Sequence, residues 1–106
     1  LFWENDSIFI SHAGISSLPA NLFDESDTNG ILWNRAPLKN IGQLQIIGHT
    51  PLEEGVPKFD ETANSWNIDT ACVYGFNLTA LRLSEKGEVL KTISVKVLEE
   101  DIEKYF

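Results

Sequence analysis

The chain lacks methionine altogether, carries a single cysteine, Cys72, and has only two histidines among its 106 residues. One cysteine excludes an internal disulfide, so no disulfide scaffold holds this domain, and a reducing cytoplasm is the expected setting. Basic residues are also scarce. Lysine and arginine number 8 against 16 aspartates and glutamates, for a net charge of −8. Such a surface repels phosphate backbones, which argues against nucleic acid as a partner, and against anionic membranes for the same reason. No apolar run approaches the roughly 20 residues a membrane helix needs, and nothing resembles a signal peptide. The missing methionine and the apolar opening Leu1-Phe2-Trp3 suggest a chain that natively continues before Leu1.

A chain of this length hides roughly two-thirds of its unfolded surface, enough for one modest core. Ser7 to Ile10 is a short run of strand formers ending at Ser11-His12-Ala13-Gly14, and Gln43 to Ile47 is a second such run ending at Gly48-His49-Thr50-Pro51. Both predict buried strands that stop in glycine-flanked loops. Leu18 to Phe23, with Pro19 in its first turn, predicts a helical turn or short helix. The polar stretch from Leu52 to Asn64, interrupted by Gly55 and Pro57, predicts a long exposed loop. Ser65 to Ile68 begins a third strand. Leu78 to Leu83 and Val89 to Val97 alternate around Ser84-Glu85-Lys86-Gly87 and predict a hairpin. Leu98, Ile102 and Tyr105 would share one face of a terminal helical turn. The pattern is α+β, mostly strands with one or two short helices.

The histidines carry the chemical signal, because both occur in one context: an apolar strand, then histidine beside glycine. Neighbouring strands present their C-terminal ends at one sheet edge, where open sheets bind ligands. Two imidazoles held there make half of a site for zinc, iron or manganese. The competing account, two ordinary loop histidines hydrogen-bonded through both nitrogens, remains open at this point.

Phe9-Ile10-Ser11-His12-Ala13-Gly14-Ile15, Leu32-Trp33-Asn34-Arg35, Ile46-Ile47-Gly48-His49-Thr50-Pro51, and Asn67 to Gly75 followed by Leu78 to Leu83 occur in the order found in calcineurin-like metallophosphoesterases. Together they resemble the bacterial branch that holds serine/threonine protein phosphatases and symmetrical dinucleoside tetraphosphatases. The resemblance implies that residues 1–106 form the C-terminal half of an αββα sandwich domain whose N-terminal half lies outside this sequence. It implies a cytoplasmic hydrolase acting on a phosphorylated protein or a nucleotide, through a water activated between two divalent ions (Mn, Fe or Zn). His12 and His49 would bind one of those ions, and Arg35 would contact phosphate, unless it simply pairs with a carboxylate at the surface. Asp69 could orient a ligand or brace a turn, and Tyr74 could line the groove or lie in the core. Trp33 and Trp66 read as core, and Cys72 as a packed side chain.

The family's other ligand motifs, Asp-x-His, Gly-Asp-x-x-Asp-Arg and Gly-Asn-His-Glu/Asp, do not occur here, so the fragment alone should not hydrolyse substrate. A phosphatase-like module that has lost catalysis and serves as an interaction surface is the alternative, and an exposed edge could drive self-association. Where the relatives usually carry glycine, Ala71 stands, and often a second glycine where Phe76 stands. A methyl at position 71 matters if that backbone needs positive φ. Pro51, in place of a second histidine, favours the protein phosphatase branch.

Overall fold

A computed structural model describes residues 1–101 of the chain. Seven strands account for its regular structure: β1 (Phe2–Glu4), β2 (Ile8–Ser11), β3 (Leu44–Ile47), β4 (Lys58–Asp60), β5 (Ser65–Asn67), β6 (Asn77–Leu83) and β7 (Val89–Lys96). The first five form one sheet in the order β1-β2-β3-β5-β4, and β6-β7 is a separate hairpin. Strands β2, β3 and β5 run parallel, flanked by antiparallel β1 and β4. The domain is sheet-rich, of α+β type. Among the described residues the only helical segments are two 3₁₀ turns, Cys72–Tyr74 and Glu99–Asp101, and no helix is long and apolar enough to cross a membrane. Ile102 and Tyr105, expected on the terminal helical face, lie outside the described residues.

Alternation divides the sheet's two faces. Ile8, Leu44 and Ile46 form the buried centre of one face, with Trp66, Ile68, Leu81 and Leu83 packed against them. The last two belong to β6, so the hairpin closes this face with its inward side. The outward side of the hairpin leaves Leu78, Ile93 and Val95 exposed. On the opposite face lie Gln45 and Ile47, covered by the long connection from β2 to β3. Gln45 is fully buried there. Its Oε1 accepts from the Ile15 amide at 2.9 Å, and its Nε2 donates to the Lys39 carbonyl at 2.8 Å. Gly14 lies against the same face: a Cβ on it would come within 2.6 Å of Leu38 Cδ2 and 2.9 Å of Ile47 Cγ2.

Parallel strands are usually joined by a helix, but this connection contains none. Leu18 to Phe23, expected as a helical turn or short helix, is irregular. The reason is local. The amides of Leu18, Ser26, Asn29, Ala36 and Gly42 each donate to a side-chain oxygen two residues back, on Ser16, Asp24, Asp27, Asn34 and Asn40. These bonds compete with helical ones. The Leu22 carbonyl accepts from Ile31, not from the next helical turn.

The exposed loop expected over Leu52 to Asn64 is also corrected, because β4 lies within it. Lys58-Phe59-Asp60 pairs with β5, and the Phe59 and Trp66 rings pack at 5.2 Å. Asp60 Oδ1 accepts from the Ala63 amide at 3.3 Å, and Asn64 takes φ 53°, so a short turn joins the two strands. Asparagine tolerates this left-handed backbone better than most residues.

Candidate metal centre

Parallel pairing brings β2, β3 and β5 to one edge of the sheet, with Ile10 opposite Ile46 and Ile47 opposite Asn67. Two residues past Ile10, Ile47 and Asn67 stand His12, His49 and Asp69. The Gly48 amide donates to the His12 carbonyl at 2.9 Å, so the two histidine-bearing strands stay in register past their last ladder pair. The imidazoles then meet: His12 Nε2 stands 2.9 Å from His49 Nδ1, with the rings at 62° to each other.

His49 is held from its far side. Its Nε2 lies 3.2 Å from the Trp33 carbonyl oxygen. A carbonyl only accepts, so the proton sits on Nε2 and the Nδ1 lone pair faces His12. Burial, then the positive charges of Arg35 and His12, hold His49 below its ordinary pKa of 6.5. The Trp33 bond and Asp69 oppose that shift. The neutral imidazole, the form that can donate a lone pair, is therefore favoured. The backbone is strained at this point, because His49 adopts φ 68°. Left-handed backbone outside glycine concentrates at functional sites.

Two imidazole nitrogens on one ion at metal–nitrogen distances of about 2.0–2.1 Å stand roughly 2.9–3.4 Å apart, for angles from square to tetrahedral. The observed 2.9 Å falls at the start of that interval, so the pair fits two ligands of a single cation. Among the described residues, no cluster of three or more His, Cys, Asp or Glu suited to a metal forms. The donor set is half of what a stable catalytic ion requires.

Arg35 lies beside the pair, its Nη1 a long 3.4 Å from Thr50 Oγ1. Arg35 and Thr50 also line a cavity of about 360 Å³ together with Asn34, Lys58, Asp60 and Asn67. Asp69 reaches the same edge, but its Oδ1 accepts from the Ala71 amide at 3.1 Å and braces the turn there. That turn puts Ala71 at φ 60°, the conformation for which glycine is the usual residue. Tyr74 stands in the 3₁₀ turn leading into β6 and is 42% exposed, so it is not core. Cys72 is a free thiol, half-buried. Phe76 lies against Gly55, where a Cβ would be 3.2 Å from its ring.

Trp33 departs from the expected core role. It is 54% exposed, its indole N–H donates to the Glu25 carbonyl at 2.7 Å, and its own carbonyl orients His49. The sequence held no signal for that carbonyl, because a backbone acceptor carries no side-chain signature. Trp66, by contrast, packs on the core.

No protein-family model matches the chain. Over 52 residues, 49% of this chain, it is 46% identical to an asymmetrical bis(5′-nucleosyl)-tetraphosphatase of Anoxybacillus flavithermus. The match spans 18% of that protein's length, so the chain aligns with less than a fifth of its relative. At the coarse level the similarity is to a hydrolase, one named for acting on a dinucleoside tetraphosphate.

Proposed function

We propose that this chain is part of a metal-dependent phosphoester hydrolase in which His12 and His49 hold one divalent cation. The observation that carries the reading is the convergence of the two imidazoles, 2.9 Å apart, at the ends of adjacent parallel strands. The partial relative, named for cleaving a dinucleoside tetraphosphate, supports it independently and favours nucleotide phosphoanhydrides over phosphoproteins as substrate. The resemblance drew on symmetrical tetraphosphatases, whereas this relative is named for the asymmetrical activity.

On this reading the chain is the C-terminal half of a cytoplasmic, calcineurin-like αββα domain. The remaining metal ligands would come from residues outside it. The cation (Mn, Fe or Zn) supplies Lewis acidity and a water of lowered pKa. The chain's own residues do the rest. Trp33 fixes the His49 tautomer, Gly48 ties the two strand ends together, and Arg35 offers two donors to a phosphate. Asp69 holds the neighbouring turn. The fragment alone is inactive, because two ligands do not retain an ion well.

The test is manganese-dependent hydrolysis of an aryl phosphate and of a dinucleoside tetraphosphate by the complete protein. His12→Ala and His49→Ala are each expected to lose at least about a hundredfold in rate, the cost of losing metal affinity or orientation. Unchanged hydrolysis in both variants removes the assignment. A second reading, a module that has lost catalysis, draws on the exposed apolar side of the hairpin, Leu78, Ile93 and Val95. That surface could also drive self-association. It is favoured if the complete protein cleaves neither substrate.

A further inference from the structure

We propose that Asn67 is a positioning residue for the candidate metal centre, its single amide group clamping together the two turns that carry His49 and Asp69; this rests on the phosphoester reading above. The backbone at His49 is bent into a γ-turn: the Thr50 amide donates to the Gly48 carbonyl at 2.8 Å, and His49 between them takes φ 68°. A γ-turn of positive φ is the rarer and more strained form. Strained backbone persists only where its surroundings over-determine it. The neighbouring turn at Asp69 is equally tight, with the Thr70 amide donating to the Ile68 carbonyl at 3.0 Å.

Asn67 ends β5 and pairs with Ile47 of β3, so it stands where both chains leave the sheet. Its Nδ2 donates to the Thr50 carbonyl at 2.9 Å, and its Oδ1 accepts from the Asp69 amide at 2.9 Å. A carbonyl demands a donor and an amide an acceptor, so the two partners fix which way the side chain faces. The His49 turn is thereby held at both ends, by the Gly48 amide on the His12 carbonyl before it and by Asn67 after it. A parallel link runs from the Leu52 amide to the Asp69 carbonyl at 2.9 Å. These other bonds join backbone to backbone and ask little of the sequence, whereas the Asn67 bonds need a side chain with a donor and an acceptor on one plane. Aspartate has the same shape and no donor when ionised. Without the Thr50 bond the left-handed backbone at His49 relaxes, and its rotation swings the imidazole away from His12. Asn67 therefore acts on the metal site through the backbone.

The experiment compares manganese affinity in the complete protein with two metal-free readouts: the His12–His49 ring-to-ring NOE and amide exchange at Asp69. Asn67→Ala is expected to bind manganese about tenfold more weakly, the low end of what losing a ligand's support costs, and to lose both the NOE and the Asp69 protection. Asn67→Asp should lose the NOE but keep the protection, because its carboxylate still accepts from the Asp69 amide. Gly87→Ala strains the fold at the turn between β6 and β7, against Leu44 and Ile8 at the other end of the strands, and should keep the affinity and the NOE despite lower stability. Wild-type affinity in Asn67→Ala, a persistent NOE in Asn67→Asp, or an equal loss of affinity in Gly87→Ala overturns the positioning role and leaves the phosphoester reading standing. Wild-type manganese affinity in both His12→Ala and His49→Ala brings down the two together.

Discussion

The Trp33 carbonyl and the His49 Nε2 are 3.2 Å apart, and this contact determines which nitrogen of His49 faces its partner. Nitrogen NMR should find the neutral Nε2–H tautomer. The titration midpoint of His49 should lie below its ordinary value, chiefly through burial and then through Arg35 and His12. Replacing Arg35 with glutamine removes one of these positive charges and should raise the midpoint. The unfolded chain takes up this proton first, so the stability contributed by neutral His49 is complete above about pH 6.5 and is lost as pH falls through the lower folded value. A midpoint above the ordinary value would contradict the geometry.

His49 and Ala71 both hold left-handed backbone, at φ 68° and 60°. A side chain there costs roughly 1–2 kcal/mol, offset in part by the roughly 0.5–1 kcal/mol that glycine loses in chain entropy. Ala71→Gly should therefore stabilise the fold by about 0.5–1 kcal/mol. At the other position, His49→Gly should be more stable than His49→Ala by a similar margin, although both lose the imidazole. Urea midpoints for the four chains decide the matter, and a less stable Ala71→Gly variant would show that the methyl does something the backbone does not reveal.

Two glycines separate strain from crowding. Gly87 takes φ 85° and a Cβ there would sit 3.5 Å from Leu44, an ordinary contact, whereas Gly14 takes φ 83° and a Cβ would clash with Leu38 and Ile47. Gly87→Ala should cost about 1 kcal/mol, and Gly14→Ala about 2–4 kcal/mol, because overpacking adds to the backbone term. Chemical denaturation of both variants measures the difference. Equal losses would mean that the Leu38 side chain moves aside freely.

The strands and the paired histidines were legible because their signals are periodic and local: apolar runs before His12 and His49, and alternation in β6 and β7. What escaped was set by tertiary partners. Lys58-Phe59-Asp60 is a strand because Phe59 finds Trp66 across the ladder, and nothing in a polar stretch of thirteen residues announces that. The missing helix after His12 was foreshadowed by its Ser, Asp and Asn residues, whose side chains cap nearby amides, but the proline at position 19 read as a helix start. The positive φ at Ala71 was raised only as a condition on that backbone, and the turn at Asp69 supplies the reason for it.

Gln45 tests how far the irregular connection depends on one buried amide. It is enclosed on all sides, and both ends of its side chain hold backbone groups of that connection, the Ile15 N–H and the Lys39 carbonyl. No helix supplies these partners with alternatives. Gln45→Leu keeps similar bulk and removes both hydrogen bonds, leaving the Ile15 N–H and the Lys39 carbonyl without this partner in a half-buried setting, for a loss of about 1–3 kcal/mol. Gln45→Glu keeps the acceptor for Ile15 but confronts the Lys39 carbonyl with a carboxylate, so it should be more destabilising at neutral than at acidic pH. Amide exchange locates the damage: protection at Ile15 should fall in Gln45→Leu and persist in Gln45→Glu at low pH. Because the same connection carries Trp33 and Arg35 to His49, loosening it should also let the His49 ring sample both tautomers. A leucine variant with wild-type exchange at Ile15 would show that the connection is held by its apolar contacts alone.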